Sequence, residues 1–172
     1  MYSKIITQVD LATLVTLDEA KKQCRISHAF DDDYITSLIA VSAELAQTYT
    51  RRALTPATVT SVVDEHQRYV VQLPYGDVTD VTEVLLDDVA TTDFEFEEIT
   101  QKLTVNKSYS KLKATYNCGY ATGELPAVAK HGILLTISTL YNNREDFVTG
   151  NNVYELPMTS RKVLDAIKYY GI

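Results

Sequence analysis

Hydrophobic positions repeat with a helical period at both ends of the chain and with a period of two in the middle. Leu17, Ala20 and Cys24 share one face at helical spacing. Thr16 stands before them with Glu19 three residues later, the capping-box pattern of a helix start. Asp18 and Glu19 open this helix and Lys21, Lys22 and Arg25 follow, an order that suits the helix dipole. After Asp31-Asp32-Asp33, Ile35, Leu38, Ser42, Leu45 and Tyr49 repeat at spacings of three and four, with Ile39 and Ala46 widening the stripe. This predicts a longer second helix reaching about 50–52. Thr55-Pro56 stops any continuation, because the residue before proline disfavours helix.

From Thr58 to about Tyr120 Val, Thr, Tyr and Phe dominate and short runs alternate. Tyr69, Val71 and Leu73 fall on one face, and Pro74-Tyr75-Gly76-Asp77 reads as a turn. Val78 to Leu86 is a further strand, ended by a turn at Asp87-Asp88. Phe94 and Phe96 oppose Glu95 and Glu97, and Leu112, Ala114 and Tyr116 oppose Lys111, Lys113 and Thr115. Four to six antiparallel strands with one wet face are expected. Helix returns after Pro126, carrying Val128, Leu134, Leu135, Ile137, Leu140 and Tyr141, and ends near Asn142-Asn143. Phe147 to Thr159 reads as a loop, and Ser160 caps a last helix with Val163, Leu164 and Ile167 as its stripe. The expected fold class is α+β: a helical bundle formed by the N- and C-terminal helices with an inserted small antiparallel β-sheet. It reads as a single domain over 1–172, helical at 14–55 and 124–172, with the β insertion at about 56–123.

Composition narrows the function classes. A chain of 172 residues can bury roughly 70% of the surface its unfolded form exposes, so it supports a core of its own. No run approaches the ~20 apolar residues that span a bilayer, and the apolar stretch at the start is too short for a signal peptide. A protein assembled in a cytoplasm, without a membrane partner, is expected. The two cysteines, Cys24 and Cys118, make no disulfide framework, and His28, His66 and His131 lie far apart. No metal and no cofactor are expected. The net charge of −7 argues against a protein that grips nucleic acid, though not against one that DNA slides past. Twelve tyrosines hint at contact surface, against the plainer reading that they edge the core.

The candidates for chemistry are weak. Asp31-Asp32-Asp33 reads as a helix cap more readily than as a metal or acid–base site. Gly119-Tyr120-Ala121-Thr122-Gly123 lacks the dinucleotide fingerprint and reads as a strand-to-helix turn. Cys118 and His131 read as a core thiol and an unrelated helix residue. No catalytic residue is expected. Arg144, Glu145 and Asp146 read either as a solvated helix end or as an ion-pairing contact with a neighbour. Lys168, Tyr169 and Tyr170 near the end suit a docking segment, since Tyr buries a ring and still offers a hydroxyl.

Several segments together, in order, resemble the phage head–tail connector family, the adaptor proteins of long-tailed phages. They are Leu17-Asp18-Glu19-Ala20-Lys21 with Arg25-Ile26, Asp31-Asp32-Asp33 before Ile35, Leu38 and Ile39, and Tyr49-Thr50-Arg51-Arg52-Ala53-Leu54. Leu73-Pro74-Tyr75-Gly76, Gly119-Tyr120 with Pro126, and Leu140-Tyr141-Asn142-Asn143-Arg144-Glu145 complete the set. The family often has glycine where Arg51 stands, so this helix is expected to end differently. It also closes on a Tyr-Arg pair where this chain has Lys168-Tyr169-Tyr170-Gly171-Ile172. The resemblance implies a structural virion protein at the head–tail interface: a dodecameric ring between the portal protein and a stopper or tail-completion protein. DNA would pass through its channel without specific binding, and the C-terminal segment would reach the portal. The alternatives are another neck part, such as a stopper or tail terminator, and a small acidic enzyme using Asp31–Asp33.

Overall fold

The computed structural model describes residues 2–64, 69–144 and 159–170. The chain is α+β and divides into two compact units. One takes Leu11–Thr50 and Leu125–Lys168, and the other takes Met1–Asp10, Arg51–Glu124 and Tyr169–Ile172. The β unit therefore also recruits both chain ends, where the sequence pattern suggested a continuous insertion at about 56–123.

The helical unit contains α1 (Leu17–Cys24), α2 (Asp32–Thr50), α3 (Ala127–Asn142) and α4 (Thr159–Leu164). Short 3₁₀ turns occupy Leu11–Leu14 and Asp165–Ile167. The capping box of α1 forms in both directions: Glu19 N–H donates to Thr16 Oγ1, and the Thr16 N–H donates to the Glu19 carboxylate at 3.0 Å. At the other end Arg25 takes the left-handed conformation, φ 59°. α3 lies against α1, α2 and α4. Ile35, Ile39, Ala43 and Ala46 of α2 and Ala129, Ile133 and Ile137 of α3 are buried. Gly132 matters here because a Cβ would fall 2.6 Å from Leu164 Cδ2, so α4 rests on bare α3 backbone.

Two expectations for α2 change. Its buried stripe runs Ile35, Leu38, Ile39, Ser42, Ala43, Ala46 and Thr50, while Leu45 is exposed. A period of 3.6 turns the face past position 45 and selects the small residues beside it. Arg51 has φ 54°, so the chain leaves α2 in the left-handed conformation without the glycine that makes it cheap. Ser42 Oγ is buried and has no hydrogen-bond partner among the described residues. An unpaired buried hydroxyl costs about 1–3 kcal/mol. Ser42→Ala is thus expected to raise the melting temperature by roughly 2–4 °C per kcal/mol gained. A thermal melt in which the variant falls below the parent would show that the hydroxyl is satisfied.

Among the described residues of the β unit there are eight strands. They are β1 (Tyr2–Gln8), β2 (Ala57–Val63), β3 (Val70–Gln72), β4 (Val78–Leu86), β5 (Val89–Ala90), β6 (Phe94–Glu97), β7 (Lys102–Val105) and β8 (Leu112–Cys118). One sheet has the order β1-β2-β8-β4-β5 and the other β3-β7-β6, with antiparallel pairing throughout. A single sheet was expected. The sheets share one core, in which Val59, Val84, Leu112 and Tyr116 of the first join Val71, Leu103 and Val105 of the second. The alternation read from sequence in β8 is observed as strictly alternating burial. Inside this core the Tyr116 hydroxyl donates to the Pro74 carbonyl at 3.1 Å and lies 2.9 Å from Ser61 Oγ, which in turn meets Ser3 Oγ at 2.8 Å. That chain of hydroxyls satisfies a phenol whose burial pushes its ionisation far up.

Candidate functional site

Of the six positions marked by sequence, the four described ones separate between the two units: Arg144 and Lys168 fall in the helical unit, Tyr169 and Tyr170 in the β unit. Arg144 follows α3, and its guanidinium lies 4.6 Å from the Tyr34 ring centroid and 4.9 Å from that of Tyr141. Its Nη2 is 3.6 Å from Asp31 Oδ2, and the Tyr141 hydroxyl donates to the same carboxylate oxygen at 2.5 Å. The Tyr141 hydrogen bond, with the Arg144 charge behind it, holds the Asp31 carboxyl below its usual range. The same bond raises the Tyr141 phenol. Asp31 and Arg144, which the sequence offered as separate features, thus tie the start of α2 to the end of α3. Asp32 is also committed, pairing with Lys21 Nζ at 2.6 Å. Glu145 and Asp146 lie outside the described residues.

Lys168 Nζ lies 4.3 Å from the Tyr49 ring centroid, and the Tyr49 hydroxyl donates to Asp165 at 2.6 Å. Both contacts are within the helical unit. Tyr169 belongs to the β unit. Its hydroxyl donates to the Leu73 carbonyl at 3.0 Å and accepts from Gln72 Nε2 at 2.5 Å. Its ring lies beneath the Arg52 guanidinium, 5.6 Å from the centroid. A Cβ on Gly76 would fall 3.1 Å from Tyr169 Cδ2 and 3.0 Å from Arg52 Nη1, so glycine opens the space these two fill. Arg52 also pairs with Asp77, which holds the turn in which Tyr75, Gly76 and Asp77 all have positive φ. Tyr170 is 68% exposed.

Glu19, Asp87 and Cys118 are likewise committed within the fold. Lys130 Nζ meets Glu19 Oε1 at 2.7 Å. This hydrogen bond, with the Thr16 N–H, lowers the Glu19 carboxyl from 4.5 to about 2. A carboxyl depressed in the folded state stabilises above its unfolded value and loses that contribution as pH falls through the folded one. Glu19→Gln should therefore flatten the pH dependence of stability between about 4.5 and 2, read from urea midpoints across that window. Equal slopes for the two proteins would contradict the assignment. Asp87 accepts from the Ser110 and Lys111 N–H groups, at 3.0 and 2.8 Å, as a hairpin-turn residue. Burial pushes the Cys118 thiol up to about 12, which keeps it protonated and unreactive. Among the described residues no three His, Cys, Asp or Glu side chains are grouped to hold a metal ion. No described helix is long and apolar enough to cross a membrane.

On this α+β fold of two units, the capping, stacking and ion-pairing side chains described above brace the backbone. The phage gp6-like head-tail connector family matches residues 14–168, and the chain belongs to that family. It is accordingly a structural connector of the virion, placed at the head–tail interface. In fold it is similar to a chain in the neck of an empty gene transfer agent particle computed with C6 symmetry. That match has a TM-score of 0.76 at 13% identity, over 100% of this chain and 97% of that one. A chain in the neck of the native particle, computed with C12 symmetry, matches with a TM-score of 0.75 at 12% identity over the same shares. No curated protein matches the chain in sequence.

Proposed function

We propose that this connector works as the adaptor ring between portal and tail, many copies closing around a channel through which DNA passes. The observation that carries the reading is the family match over 14–168, supported by full-length fold similarity to chains in particle necks. Their C6 and C12 symmetry favours a closed ring, with twelve copies as the working number. A ring of this kind uses two different faces of each subunit, repeated around the axis. In this reading the helices α1–α4 form the bundle that packs against neighbours, and the C-terminal end faces the portal, with the exposed Tyr170 among its contacts. Arg144 serves by holding α2 to α3, and Glu145 and Asp146 serve as ion-pairing contacts with a neighbour. The lower face receives a stopper or tail-completion protein. A net charge of −7 suits a lumen that lets phosphate pass without holding it, and the role includes no catalysis.

The test is electron microscopy of the purified protein mixed with its portal. Rings capping the portal are expected. Density at the far end of an already capped neck would instead make the chain a stopper or tail terminator.

A further inference from the structure

The β unit contains an open groove of about 1040 Å³ that none of the roles above uses. It lies where the ends of β1, β2, β4 and β8 meet the turn between β6 and β7. Its volume is at the upper end of the range for ligand pockets. Val9, Pro56, Ala57 and Val78 give its lining an apolar part beside Thr, Gln and Asn side chains. Glu98 and Glu124 also line it, and no Lys, Arg or His does. Asp77 is already paired with Arg52. Glu98 and Glu124, by contrast, have no ion-pair partner among the described residues.

Gln101 braces the turn that carries Glu98. Gln101, at φ 57°, accepts from the Val78 N–H through Oε1 at 2.6 Å and donates from Nε2 to the Glu98 carbonyl at 2.5 Å. Next to Glu98 this pinned turn presents Ile99, which is 93% exposed. An isolated exposed isoleucine needs no explanation. One on a hydrogen-bonded turn that lines a groove, beside carboxylates without an ion-pair partner, offers an apolar contact to a ligand that brings cations. Negative walls exclude nucleic acid and anionic ligands, and they attract cations.

We propose that this groove takes a short basic peptide segment of a partner protein, with an apolar side chain set between its lysines or arginines. The apolar side chain covers Ile99 and the apolar lining residues, and the flanking cations meet Glu98 and Glu124. The proposal does not depend on ring formation, because a titration of the free subunit reads it.

The experiment titrates the full-length, ¹⁵N-labelled protein with the probe peptide acetyl-Lys-Leu-Lys-Leu-Lys-amide at low ionic strength. Saturable amide shifts confined to residues 7–9, 98–101 and 117–124 are expected. The counterpart with Glu in place of Lys should bind at least about tenfold more weakly, because like charges repel across a contact. Glu98→Gln/Glu124→Gln, at an unchanged melting temperature, should weaken the lysine peptide about fivefold or more, as expected for two surface ion pairs. Ile99→Ser should weaken it also. The proposal is overturned by shifts that do not saturate, by shifts scattered elsewhere on the chain, or by undiminished affinity in the double Gln variant.

Discussion

Gly119→Ala is expected to destabilise the protein by about 4 kcal/mol or more, the range reserved for broken core or backbone geometry. Gly119 follows β8 at φ +95°, and a Cβ built there would lie 2.2 Å from the Thr55 carbonyl oxygen and 3.0 Å from its carbon. The obstacle is backbone, so no side-chain rotation relieves it. Thr55 cannot retreat easily, since it is buried and its hydroxyl donates to the Val9 carbonyl at 2.8 Å. Ala53 and Leu54 just before it are buried as well. Gly123 supplies the control: at φ +87° it has nothing within 4 Å of a built Cβ. Gly123→Ala should therefore cost only the left-handed strain of about 1–2 kcal/mol. Against a total stability of about 5–15 kcal/mol, the first change should leave a large unfolded fraction on warming and the second should not. Urea melts of the two variants side by side decide the matter. Equal midpoints would mean that the strand end shifts freely, and the close approach of Gly119 to Thr55 would carry no energy.

Local signals were the legible ones. The capping box of α1, the limits of β4 and the turn at Asp87-Asp88 depend on residues a few positions apart, and each forms as the pattern indicates. β1 was not legible. Its alternation is interrupted at Ile5-Ile6, and the register shift between Ile5 and Thr7 shows why: a bulge changes which side chains face inward. An interrupted period of two looks like irregular chain until its partner β2 is known. The second sheet was hidden for a related reason, because β3, β6 and β7 have three or four residues each and give too little pattern to assign partners. Arg51 shows a different limit: sequence warned that a non-glycine residue disfavours a left-handed exit, and the chain makes that exit anyway. The candidate site was legible as residue types only. Arg144 and Asp31 were both marked, but their meeting through Tyr34 and Tyr141 is a long-range event. The groove beside Ile99 left no trace in any local pattern.

Tyr169→Ala is expected to release the end of the chain from the β unit and to lower stability by roughly 2–4 kcal/mol. Truncating a fully buried aromatic costs about 3–5 kcal/mol, and Tyr169 is only half-buried, so the expected cost is about 1 kcal/mol below that range. The loss has separable parts. Tyr169→Phe keeps the ring against Gly76 and under Arg52 but removes the hydrogen bonds to Gln72 and Leu73. That change alone should cost about 1 kcal/mol, rising toward 3 if the Leu73 carbonyl is left without a partner. The remainder in the alanine variant is ring packing and the cation–π contact, which is worth about 0.5–1 kcal/mol at an exposed site. Amide hydrogen exchange at Tyr169 and Tyr170 reports release directly, and urea melts report the energy. The order parent, Phe, Ala should hold in both measurements. The variants also separate two roles for the end of the chain. If portal attachment needs the end held in place, the alanine variant attaches more weakly than the phenylalanine variant. If attachment needs the end free, the order reverses, because release no longer competes with docking. Equal attachment by all three proteins would remove Tyr169 from the docking reading and leave it a brace of the β unit alone.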